Sequence, residues 1–156
     1  MKNKRIKKYK PKSIDLTGGI FKLQQIDLSN TYVSKDEALA EYNRSNNAFI
    51  KLKSNTCTAS DFNDLANGLH LIKELTRFVE VDLDIDETYS RVARRLSLVF
   101  KTAEKVGMYL CPHDMFDDIN KLLIYLLRVL PNIYLAEYYI AYANIKVMIE
   151  NYKQEL

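Results

Sequence analysis

The side chains in this 156-residue sequence best suited to chemistry are two histidines, two cysteines and several clusters of charge. Acid–base or nucleophilic catalysis needs a base within hydrogen-bond reach of its partner. His70 lies between Leu69 and Leu71 in an apolar stretch, the setting of a packed structural histidine. His113 has Asp117 four residues on, with Asp114 and Asp118 beside it. Two ligands at i and i+4 can begin a metal site, but no third is visible, and the carboxylates also suit the positive end of a helix dipole. Cys57 and Cys111 stand 54 residues apart without the local signature of a catalytic thiol. The Gly18-Gly19 pair lacks the Lys-Ser/Thr that a phosphate-cradling loop requires. These residues predict a protein that is not an enzyme, with no metal and no cofactor.

Charge carries more information. The first twelve residues hold Lys2, Lys4, Arg5, Lys7, Lys8, Lys10 and Lys12 and no acid. The rest of the chain keeps sixteen basic against twenty acidic side chains, so the overall +3 divides into a basic arm and a mildly acidic body. Residues 1–19 lack helical periodicity, Pro11 opposes a helix through Lys10, and Gly18-Gly19 makes a joint. The expectation is a flexible arm that is either a solvated tail or a phosphate-binding segment, with Tyr9 able to stack on a base. A second basic group, Arg91, Arg94 and Arg95, either pairs with acids on a solvated face or extends the arm's positive field onto the body.

The elements that position these groups are helical. Four glycines and three prolines disfavour a turn-rich β fold, and 47% hydrophobic with 28% charged residues is an ordinary globular composition. One domain over 20–156 is expected, large enough to bury a core without disulfides or metal. No apolar run approaches the ~20 residues of a membrane span, and Arg128 interrupts the richest, Leu122–Leu130. Without a recognisable signal peptide, the two cysteines read as free thiols in a reducing cytoplasm.

The organising stretch is Thr58–Val79, where Phe62, Leu65, Leu69, Ile72 and Val79 form one apolar stripe that Ala66, Leu75 and Phe78 widen. Thr58 is its expected N-cap, with Asp61 three residues on. Upstream, Ser34 and Glu37 predict a capping box, and Leu39, Tyr42, Asn46, Phe49 and Ile50 the buried face that follows. Downstream, Asp84 and Glu87 read as cap and third residue of a helix stopped by Gly107, Pro112 as the opening of another, and Pro131 as its break. The expected helices are about 35–54, 59–80, 85–107, 112–130 and 132–153, packed as an irregular antiparallel bundle because the connectors are short. Residues 20–28 fit either a short helix or an extended piece.

The last helix carries Tyr134, Tyr138, Tyr139, Tyr142 and Tyr152. At 100° per residue they surround it, so some face outward, which favours a protein partner or a homodimer contact.

These pieces occur in a recognisable order. Lys8, Tyr9, Pro11 and Lys12 in the arm, then Thr58, Asp61, Phe62, Leu65 and Leu69, then the connector Tyr109-Leu110-Cys111-Pro112 resemble a family of small proteins encoded in prophages and on plasmids of proteobacteria. The acidic run at 82–87 departs from its usual members. The resemblance implies a mobile-element origin and a cytoplasmic site of action. The expected function is that of a phage-encoded inhibitor or modulator of a host defence nucleoprotein complex, in the manner of an anti-CRISPR protein. The alternatives are a direct nucleic-acid-binding accessory protein and a structural or assembly protein.

Overall fold

The computed structural model describes residues 27–154, with side chains to Asn151, and its order is helical throughout. Five α-helices follow one another among the described residues: α1 Lys35–Lys53, α2 Ala59–Leu75, α3 Leu83–Val106, α4 Phe116–Val129 and α5 Leu135–Gln154. Short 3-10 turns, His113–Met115 and Leu130–Asn132, flank α4. The fold is the expected all-α bundle, and no strand occurs among the described residues.

Local chemistry sets most of the boundaries. The Ser34 hydroxyl accepts from the Glu37 N–H while the Glu37 carboxylate accepts from the Ser34 N–H, so α1 opens on a complete capping box. Thr58 and Asp61 do the same for α2. Gly107, at φ 72°, takes the left-handed turn that ends α3. Pro131, without an N–H to donate, sits in the tight turn that separates α4 from α5.

Other boundaries depart from the sequence expectation. α2 stops at Leu75, not near residue 80, because the Thr76 hydroxyl turns back to the Lys73 carbonyl and the chain tightens into i→i+3 bonds. Asp82 rather than Asp84 caps α3, its carboxylate accepting from the Asp84 N–H. Pro112 precedes a 3-10 turn and the α-helix begins only at Phe116, with no side-chain bond from Cys111 acting as a cap. α5 starts at Leu135, where the Glu137 carboxylate accepts from the Tyr134 N–H.

α2 packs against each of the other four helices, so the stretch that organises the sequence also organises the core. Leu65, Leu71, Ile72 and Leu75 from α2 and Ile119, Leu122, Leu123 and Leu126 from α4 are all fully buried in one core cluster. Each such side chain contributes about 2 kcal/mol of burial. The chain enters through a strap: Val33 donates to the Ile133 carbonyl, and the Thr31 and Leu28 carbonyls accept from Leu135 and Ala136. Residues 27–30 form a turn at the start of this strap, and the rest of the expected apolar segment 20–28, up to residue 26, lies outside the described residues.

The register of α1 is the main correction. Leu39 and Ile50 are exposed, while Ala38, Glu41, Ser45, Ala48, Phe49 and Leu52 face the core. The helix is turned by about one residue from its apolar stripe because Glu41 finds partners on α5, described below.

Candidate functional site

Arg91 and Arg95 stand one turn apart on α3, and Asp118 and Asp114 stand one turn apart on the segment that opens α4. Antiparallel packing aligns the two pairs. Arg91 donates to both Asp118 oxygens at 2.8 and 3.1 Å, and Arg95 to both Asp114 oxygens at 2.9 and 2.7 Å. Lys121 pairs with Asp84 farther along the same seam. The guanidinium hydrogen bonds hold the Asp114 and Asp118 carboxyls below the usual carboxylate range and raise both arginines. These arginines therefore fasten α3 to α4, which is the acid-paired arrangement weighed for them from sequence.

Arg94 has a different setting. It is exposed, and it forms no ion pair among the described residues. Leu98, Lys101 and Lys105 follow it at spacings of four, three and four, which places all of them on one outward line of α3. Lys101 and Lys105 are exposed, and Leu98, between Arg94 and Lys101, is 63% exposed. The sequence already places Arg94, Lys101 and Lys105 on the polar side of this helix, and their helical spacing is the signal for the line.

The histidines and cysteines lie apart from this line. His70 Nδ1 lies 2.9 Å from the Tyr89 hydroxyl, and burial pushes the ring's pKa down. His113 is exposed and stacks on Phe116 with ring centroids 5.0 Å apart. Among the described residues no group of three or more histidine, cysteine or acidic side chains is placed to hold a metal ion. Burial raises both thiols to about 11, so Cys57 and Cys111 stay protonated at neutral pH. Cys111 packs on the Met115 sulfur.

The tyrosines of α5 divide between core and surface. Tyr142 and Tyr138 turn inward, and both hydroxyls donate to one Glu41 oxygen, Tyr138 at 3.3 Å. Arg44 joins from the half-exposed side, 3.5 Å from the same oxygen. Burial, followed by the Glu41 charge for Tyr142 and by the neighbouring phenol for Tyr138, drives both phenols well above their ordinary pKa. Tyr139 packs edge-on to Tyr138 and is half-buried. Tyr134 stacks on Tyr32 at 4.5 Å, with the hydroxyls 3.2 Å apart. The large exposed residues of α5 are aliphatic instead: Ile140, Val147 and Met148. Among the described residues Tyr138 and Tyr142 thus form an internal network with Glu41.

Sequence reasoning passed over Glu41, which is 1% exposed, because nothing local marks a glutamate as buried. It also did not pair Lys51 with Asp61, which meet at 2.6 Å across the α1–α2 turn. That bond, with the Thr58 contacts, holds the Asp61 carboxyl at about 2. The arm residues Lys2, Lys4, Arg5, Lys7, Lys8, Tyr9, Lys10 and Lys12, and the side chain of Tyr152, lie outside the described residues. No helix among the described residues is long and apolar enough to cross a membrane. No protein-family model, no curated protein and no solved structure matches the chain.

Proposed function

We propose that this chain is a non-enzymatic binding protein that engages a negatively charged surface of a nucleoprotein complex. The observation that carries this reading is the outward line Arg94–Leu98–Lys101–Lys105, which concentrates three exposed cations around one exposed leucine. Cations answer phosphate or acidic side chains, and the leucine adds apolar contact that a bare phosphate backbone does not use. The basic arm, Lys2 to Lys12, adds a second positive segment to the same chain. Arg91 and Arg95 act by holding α3 in place. With the mobile-element resemblance, the concrete form of this function is stoichiometric inhibition of a host defence complex, as anti-CRISPR proteins perform it.

Immobilised wild-type chain and an Arg94→Glu/Lys101→Glu/Lys105→Glu variant, each presented to bacterial lysate with and without nuclease, test the reading. A protein captured by wild type in both lysates and lost from the variant supports inhibition of a protein target. Capture that nuclease abolishes favours the second reading, direct nucleic-acid binding. Equal capture by both chains removes the α3 line from the function.

A further inference from the structure

Helix α5 is apolar on two opposite faces. Tyr138, Ala141, Tyr142 and Ile145 face the core. Ala136, Ile140, Ala143 and Val147 follow each other at spacings of four, three and four on the opposite side, within an arc of roughly 60° at 100° per residue. Ile140 is 50% and Val147 55% exposed. A helix with two apolar faces expects cover on both.

The order of sizes along this face is small, large, small, large. We propose that it pairs with the same face of a second copy, the two α5 helices running antiparallel about a two-fold axis between Ala141 and Tyr142. In that register Ile140 of each copy lies over Ala143 of the other, and Val147 over Ala136, so large meets small at every level. The alanines let the axes approach toward the lower end of the usual 8–10 Å. A parallel pair would set Ile140 on Ile140 and leave alanine facing alanine. The antiparallel pair also opposes the two helix dipoles. At this register Glu137 lies about nine residues of rise from its own symmetry mate, more than a Debye length at physiological salt, so no like-charge contact is forced.

The size of the face sets the strength. A helix of 20 residues is about 30 Å long. One such helix pair covers far less than the ~800 Å² per partner of a stable interface, so the dimer is reversible and forms in the micromolar range or weaker.

Sedimentation equilibrium of the full chain, from low micromolar to near-millimolar concentration, tests the proposal. A monomer–dimer equilibrium is expected, weakened at least tenfold by Ile140→Glu or Val147→Glu with helical content unchanged. Ala143→Ile sets large against large and weakens it as well, whereas the exchanged pair Ile140→Ala/Ala143→Ile restores it. That restoration distinguishes this register from general loss of apolar surface. A chain that stays monomeric at every concentration overturns the proposal. So does a dimer indifferent to Ile140 and Val147, or an exchanged pair no better than its single variants.

Discussion

Ser45 on α1 and Gly68 on α2 face each other so closely that a Cβ at position 68 would stand 3.0 Å from the Ser45 Cβ and overlap its hydroxyl. The missing side chain lets the two helices meet at this level. Gly68→Ala therefore destabilises the fold by about 1–3 kcal/mol through overpacking, despite alanine's better helix propensity. The Ser45 hydroxyl is fully buried and without a hydrogen-bond partner among the described residues. Ser45→Ala is expected to be neutral or stabilising, by up to about 1 kcal/mol. It should also recover part of the Gly68→Ala loss. Urea denaturation of the two single variants and the double variant measures this coupling, and strict additivity would contradict the contact.

The Glu41 network is the next target. Tyr142→Phe removes a donor to a buried carboxylate and should cost about 1.5–3 kcal/mol. Tyr138→Phe should cost less, since its bond is longer at 3.3 Å. Both variants should keep any partner affinity once folded. Selective loss of binding without loss of stability would return these tyrosines to the surface role expected from sequence.

The same network explains what the sequence showed and what it hid. The caps at Ser34 and Thr58, the stop at Gly107 and the break at Pro131 are local chemistry, and each was legible within four residues. So was the central place of α2, whose Phe62–Leu65–Leu69–Ile72 stripe is continuous. The face of α1 was not legible, because Glu41 is buried by tyrosines about a hundred residues away. Reading hydrophobicity alone turned the helix to bury Leu39 and Ile50. Acid pairing of Arg91 and Arg95 could be read from sequence, but the identity of the acids could not: Asp118 and Asp114 come to them only when α4 folds back along α3.

Acidification should act first through His70. Its ring faces the Tyr89 hydroxyl, with Glu74 one turn away, and burial keeps its pKa below the ordinary 6.5. The unfolded chain takes up a proton near that ordinary value while the folded chain resists it. Its contribution is thus fully present above 6.5 and is lost as pH falls below it. Stability should decline as pH falls through about 6.5, and less steeply in His70→Gln. The depressed carboxyls of Asp61, Asp114 and Asp118 lose their contribution only as pH falls below their unfolded 3.8, so the two effects separate on the pH axis. An identical pH dependence in wild type and His70→Gln would refute the assignment.

The two positive surfaces make separable predictions about salt. On duplex DNA each neutralised phosphate adds roughly 0.9 to the slope of log affinity against log salt. Reversing Arg94, Lys101 and Lys105 should flatten the slope by at least roughly 2.7 if all three meet phosphates. Deleting residues 1–12 removes seven cations and should flatten it by no more than roughly 6. The α3 variant should melt like wild type, because all three side chains are exposed and none fastens α3 to α4. Reversing Arg91 and Arg95 instead should lower the melting temperature, since each faces a carboxylate that then meets its own sign. A protein target gives a different pattern. Its affinity should depend on Leu98 as well as on charge, and Leu98→Asp should weaken it at high salt where screening has removed the ionic part. A partner held equally well by the truncated chain, the α3 variant and Leu98→Asp at every salt concentration would leave both surfaces as solubilising charge.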